Sequence, residues 1–135
     1  MSAGLMAGKK GLIMGLANDK SIAWGIAQAL ASQGAELAFS YQGEALKKRV
    51  VPLAESLGTL RLFECDVSDM ASVDAMFEAL KAEWPEIDFL VHAIGFSDKN
   101  ELRGRYVDTS HANFLMTMDI SVYSFTAVAQ RAAAM

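Results

Sequence analysis

The residues best suited to chemistry sit in short stretches, each placed directly after an apolar run. The first is Gly15-Leu16-Ala17-Asn18-Asp19-Lys20-Ser21-Ile22-Ala23-Trp24-Gly25, which follows Gly11-Leu12-Ile13-Met14. Gly15 permits a sharp turn off a strand. Ser21 is placed to cap a helix starting at Ile22, and the free backbone N–H groups of such a helix start suit a pyrophosphate. Gly25 lets that helix pack closely on the strand. The spacing departs from G-x-G-x-x-G, so the glycines alone also fit a purely structural turn. Position after the first strand of a βαβ unit is what turns the reading toward a nucleotide.

Ser40-Tyr41-Gln42 ends the second apolar run. An acidic residue about 20 residues beyond the glycines commonly holds the ribose of NAD. Here the residue is Gln42, with Lys47, Lys48 and Arg49 close behind, so NADH and NADPH both stay open. The basic trio reads mainly as a solvated helix face. In Cys65-Asp66-Val67, Asp66 is placed to accept from an adenine amino group and Val67 to pack on the ring; Asp66 or Ser68 also serves as a cap for the next helix. His92-Ala93-Ile94-Gly95-Phe96 supplies small residues that let a ribose approach the backbone. His92 lies inside an apolar strand and reads as a hydrogen-bonded core histidine, not an acid–base group. With His111 remote and Cys65 the lone cysteine, no metal site is expected. Tyr41, with Lys47 and Lys48 close behind it, reads as strand-end packing, and the lysines as surface charge.

The elements that must position these residues follow from hydrophobic period. Short apolar runs at Gly11–Met14, Leu37–Phe39, Leu60–Cys65 and Ile87–Ile94 read as strands. Between them lie helical stripes: Ile22 to Leu30 closed by Gly34, Leu46 to Leu57 closed by Gly58, and Val73 to Trp84 before Pro85. A polar loop leads to a last helix from Ser110 to Met135, with Phe114, Met118, Val122, Phe125 and Val128 or Ala129 on one face and no stop signal. The expected fold is α/β, a doubly wound parallel sheet of the Rossmann kind, strands 1–4 of a larger domain.

Composition narrows the function classes. The chain has 135 residues, 53% of them hydrophobic, which excludes intrinsic disorder. A net charge of −4 gives no support to a nucleic-acid surface. Residues 1–8 lack the charged start and apolar core of a signal peptide, and no apolar run has the length of a membrane span. A lone cysteine suits a reducing cytoplasm.

Together, Gly15-x5-Ser-Ile-Ala-x-Gly25, Ala-Phe-Ser-Tyr-Gln42, Cys-Asp-Val67 and Val-His-Ala-Ile-Gly-Phe96 resemble the bacterial enoyl-[acyl-carrier-protein] reductases of type II fatty-acid synthesis. These form a divergent branch of the short-chain dehydrogenase/reductase superfamily. Most of that superfamily would show Gly-x3-Gly-x-Gly and Asn-Ala-Gly, and this chain has neither. The resemblance implies that Gly15, Ser21 and Ile22 contact the cofactor pyrophosphate and Gln42 the adenosine side. It places Asp66 and Val67 at the adenine, Ile94 and Gly95 at the nicotinamide-side ribose, and Phe96 and Ser97 at the acyl substrate. The implied cofactor is NADH, with NADPH not excluded. The implied reaction is hydride transfer to Cβ of a trans-2-enoyl thioester on acyl carrier protein, followed by protonation at Cα.

The resemblance also implies a catalytic Tyr that stabilises the enolate and a Lys, about two helical turns on, that holds the nicotinamide ribose. Both are expected beyond Met135, so no catalytic residue is expected in this chain. It further implies strand order 3-2-1-4 with strand 4 left at an edge, and a homotetramer formed through the final helix. On this reading residues 1–135 are the N-terminal part of one dinucleotide-binding domain without an internal boundary, inactive alone. The alternative is a stand-alone dinucleotide-binding module without catalysis.

Overall fold

A computed structural model describes residues Gly4–Met135. The reading of residues 1–8 as no leader falls in part on residues 1–3, outside the described residues. Four strands, β1 Lys10–Met14, β2 Glu36–Tyr41, β3 Leu62–Glu64 and β4 Phe89–His92, alternate with helices α1 Ile22–Ser32, α2 Glu44–Ser56 and α3 Met70–Glu83. All pairings are parallel, in the order β3-β2-β1-β4. Leu12 lies between Ala38 and Leu90 in register, and Ile13 between Phe39 and Val91. The expected α/β doubly wound class and strand order are what the chain adopts.

Side chains leave a strand on alternate faces, so each strand feeds two cores. Leu12, Met14 and Ala38 pack with Val73, Met76, Phe77 and Leu80 of α3 and with Val128. Ile13, Leu37 and Phe39 face the other way, onto Ala23 and Ala27 of α1 and Val50 and Ala54 of α2. Both faces being covered is why the strands read as unbroken apolar runs.

Four features differ from the sequence reading. Strands 3 and 4 are shorter than their apolar runs: β3 pairs with β2 only from Phe39↔Leu62 to Tyr41↔Glu64 and β4 with β1 only from Gly11↔Phe89 to Met14↔His92; Leu60 lies outside and is largely exposed. Gly25 does not pack on the strand: a side chain there would meet nothing, and Ala23 and Ala27 form the contact surface instead. The polar loop contains two short 3-10 turns, Lys99–Glu101 and Tyr106–Asp108. The last helix is not one regular rod: α4 His111–Met118 runs through a π-helical turn, Asp119–Tyr123, into α5 Ser124–Ala133. Its buried face is Asn113, Ser124, Ala127 and Val128, whereas Phe114, Met118, Val122 and Phe125 point outward. Of that stripe only Phe125 touches the chain's own sheet, at His92, and Val128, expected on the same face, turns into the core instead. No described helix is long and apolar enough to cross a membrane.

Candidate functional site

The carboxyl ends of all four strands open into one groove. Its first part, a cleft of about 350 Å³, is lined by Tyr41, Gln42, Asp66, Val67, Ile94 and Phe96 among others. Its second part runs along Ser21, Ile22 and Ala23 to His92 and Ser121. The two share Gly15, Ala93, Ile94 and Gly95, so the groove is continuous across these four residues.

Gly15 makes that crossing narrow. Its φ of +104° is open to glycine, and a Cβ would lie 2.1 Å from the Ala93 carbonyl oxygen. The turn after it is closed by Ser21, whose Oγ accepts from the N–H of Ala17 at 3.1 Å and of Asn18 at 3.0 Å. This corrects the expected role: the Ser21 hydroxyl does not cap α1, because the preceding turn already occupies it. The Ser21 carbonyl accepts from Trp24 and Gly25. The Ile22 and Ala23 N–H groups are left without a partner among the described residues, at the positive end of the helix dipole. Ile22 is 80% exposed, so it meets a ligand through its backbone.

At the third strand end, the Asp66 carboxylate accepts from both the N–H and the hydroxyl of Ser68, through Oδ1. Its N–H donates to Ser72. Neither Asp66 nor Ser68 caps α3; Asp69 does, accepting from the Ala71 N–H at 3.0 Å. Oδ2 of Asp66 is left without a hydrogen-bond partner among the described residues, and Asp66 lines the cleft next to buried Val67. Cys65 behind them is buried, and burial, with the Asp66 charge adding to it, pushes its thiol up to about 11. It is a packing residue. Gln42 is exposed at the rim. Lys47, not Lys48, sits over the Tyr41 ring, at 5.8 Å, which makes Tyr41 part of the groove wall.

The fourth strand end splits the expected substrate pair. Phe96 lines the groove, but Ser97 turns away: its Oγ accepts from Asn113 Nδ2 at 3.2 Å and Thr117 Oγ1 at 3.0 Å. Ser97 lines a neighbouring pocket over α4 with Leu102 and Tyr106. His92 is hydrogen-bonded as expected, but it is only half-buried and borders the groove, so it is not a core histidine. Ser124 gives its single hydroxyl proton to the Ile120 carbonyl at 2.6 Å, so at 2.7 Å the His92 Nε2 must be the donor to Ser124 Oγ. Phe125 packs edge-on against the ring at 5.6 Å, and burial holds the imidazole below its ordinary value. Its Nε2 is thus engaged within the protein, by Ser124. Among the described residues no three His, Cys, Asp or Glu side chains gather to hold a metal ion.

Among the groove residues that sequence reasoning missed are Ile120 and Ser121, both on the π-helical turn. The signal was present as Asn113, Thr117 and Ser121, polar residues four apart on one helix face. The groove fits a dinucleotide on its own features. Unpartnered N–H groups lie at one end, Asp66 and Val67 at the other, and glycine lies between. Gly95 is informative here, since a Cβ on it would meet only Ser121, at 3.7 Å. The protein's own packing does not require that glycine.

Comparison with known proteins agrees. Residues 15–135 match the family model described as enoyl-(acyl carrier protein) reductase. The chain is 65% identical over 131 residues to enoyl-[acyl-carrier-protein] reductase [NADH] 1 of Rhizobium meliloti, covering 97% of this chain and 48% of the relative. FabI from Candidatus Liberibacter asiaticus superposes with a TM-score of 0.96 at 54% identity, covering 98% of this chain and 51% of that one. The reductase of Anaplasma phagocytophilum, solved in complex with NAD, gives 0.95 at 61% identity, covering 98% and 51%. The chain spans about half the length of the curated relatives it matches. With the match running from the first strand turn to the last residue, the chain belongs to the enoyl-(acyl carrier protein) reductase family.

Proposed function

We propose that this chain is the N-terminal part, without an internal boundary, of one dinucleotide-binding domain in an NADH-dependent enoyl-[acyl-carrier-protein] reductase. The whole protein reduces trans-2-enoyl-[acyl-carrier-protein] to acyl-[acyl-carrier-protein] in fatty-acid synthesis. The observation that carries this is the continuous groove over all four strand ends, with free helix N–H groups beside a glycine crossing. The relative named above as an NADH enzyme and the neighbour solved with NAD support the choice of cofactor.

The residues divide the work. The N–H groups of Ile22 and Ala23 bind the pyrophosphate, and Gly15 lets it approach the backbone. Asp66 accepts from the adenine amino group, Val67 packs the ring, and Gln42 borders the adenosine ribose. Ile94 and Gly95 seat the nicotinamide-side ribose, while Phe96 closes the rim where the acyl thioester enters. When bound, the dinucleotide supplies the hydride. Tyr and Lys groups that stabilise the enolate and the ribose belong to the part of the protein beyond Met135. The outward stripe of α4 and α5 supports assembly as a homotetramer, and the unpaired, unreactive Cys65 suits a cytoplasmic setting.

Loss of NADH absorbance with crotonyl-CoA or an enoyl-[acyl-carrier-protein] tests the reading. Turnover is expected from the full-length protein and not from the 135 residues, which bind NADH without consuming it. A full-length protein that binds NADH and leaves every enoyl thioester unreduced would favour a binding module.

A further inference from the structure

We propose that Ser121 is a positioning residue for the nicotinamide end of the groove, acting by holding both backbone polar groups of Phe96. What the groove binds is taken from the function proposed above; the clamp itself is geometric. The last sheet bond of this segment is from the Ala93 N–H to the Met14 carbonyl, at 3.0 Å. From Ile94 onward the chain leaves the sheet, yet this is the stretch that forms the groove floor and rim. Gly95 has no side chain to anchor it, and Phe96 is 55% exposed. Ile94 still packs on the core, but beyond it neither the ladder nor a buried side chain fixes the rim.

Ser121 does. Its Oγ accepts from the Phe96 N–H at 3.0 Å and donates to the Phe96 carbonyl at 3.2 Å. One hydroxyl spends its only proton and a lone pair on one residue, which fixes the orientation of the peptides on both sides of Phe96. Thr117 and Asn113, one and two turns earlier on the same face, extend the hold to Ser97, and Asn113 Oδ1 accepts from the Asp98 N–H at 3.1 Å. The face of the helix turned to the groove is therefore a polar ladder, and Ser121 is the rung at the site. That rung lies on the π-helical turn Asp119–Tyr123, a deviation that recurs in helices at functional sites. Nothing in the packing of the outward stripe needs Ser121, and Gly95 leaves room above it.

The test uses the full-length protein with Ser121→Ala and Ser121→Thr. In Ser121→Ala the Phe96 amide is expected to exchange with solvent about tenfold faster, the scale of one lost hydrogen bond. KM for the enoyl thioester and Kd for NADH are expected to rise by about tenfold with kcat within about twofold, since binding geometry and not chemistry is disturbed. Ser121→Thr, which keeps the hydroxyl, is expected to restore both readouts. Unchanged exchange in Ser121→Ala overturns the clamp. Faster exchange with unchanged KM and Kd overturns the positioning role and leaves a structural one. If Ser121→Ala does not fold, the Thr and Val variants differ only by the hydroxyl and make the same comparison. If the wild-type protein fails to reduce enoyl thioesters, the proposed function falls, and amide exchange with the NADH Kd still decides the clamp.

Discussion

Gly15 and Gly95 border the same groove, but the fold demands only the first. At Gly15 a methyl group would strike the Ala93 carbonyl at 2.1 Å, on a backbone with φ of +104°. Gly15→Ala is expected to cost about 3 kcal/mol or more in a thermal or urea melt, from strain and a displaced β4 end. Gly95→Ala places its methyl in ordinary contact, and is expected to change stability by less than about 0.5 kcal/mol. In the proposed function the same methyl would occupy the ribose's space, so fluorescence titration should show NADH binding weakened about tenfold or more. Equal losses of stability in the two variants would make Gly95 a backbone device instead. Cys65 gives a second residue-level expectation. With its thiol at about 11, it stays protonated through neutral pH and resists iodoacetamide until the chain is unfolded. Much of the groove's lining was legible at this scale, because glycine at a strand end and an acid after a strand stand out by their type. What a hydroxyl bonds to was not: Ser21, Ser97 and Ser68 each chose among several nearby partners, and only the folded backbone decides which is in reach.

Elements were legible where a period repeats and blurred where it stops. The stripes ending at Gly34 and Gly58 became α1 and α2 within a few residues, since a glycine stop and a 3.6-residue period agree. Leu60 and Ile94 were apolar enough to read as strand, yet Leu60 lies before the β2–β3 ladder begins and Ile94 after the β1–β4 ladder ends. The last helix shows the deeper limit: a period marks a face without saying which way it points. Phe114, Met118 and Val122 were found correctly as one face, but it is the polar face, Asn113, Thr117 and Ser121, that turns inward. Where α5 meets β4, the His92–Ser124 bond makes a prediction about pH. Burial lowers the folded imidazole below its ordinary value of about 6.5, so the unfolded chain binds the extra proton first. This contact therefore contributes in full above about pH 6.5, and its contribution is lost as pH falls through the folded value. The melting temperature is expected to drop on going from about pH 7 to about pH 5, and His92→Gln, an uncharged donor, should flatten that part of the slope. A slope unchanged in His92→Gln would assign the pH dependence to other groups.

On the scale of the whole molecule, two surfaces of the described chain are unfinished in the same direction. β4 pairs with β1 on one side and with no strand on the other, and its residues are half-buried. The outer face of α4 and α5 leaves Val122 51% and Phe114 43% exposed, with Met118 between them. An open apolar strand edge recruits further strands, and an apolar patch of this kind marks a protein contact. These demands differ in what meets them. A strand edge needs hydrogen bonds in register, which the remainder of the same domain supplies in the proposed enzyme. A helix face needs only shape and area, which a second copy supplies. They should therefore separate by experiment. The 135 residues alone are expected to self-associate as concentration rises, since both surfaces stay open. The full-length protein is expected to sediment as a discrete tetramer. In it, Phe114→Glu with Val122→Glu should yield smaller species, because charges buried without partners are costly at an interface. NADH binding should persist, as neither side chain lines the groove; Phe125 is left intact because it packs on His92. A double variant that stays tetrameric would move the subunit contact off this face, and one that loses NADH binding along with assembly would show that the groove depends on the neighbouring copy.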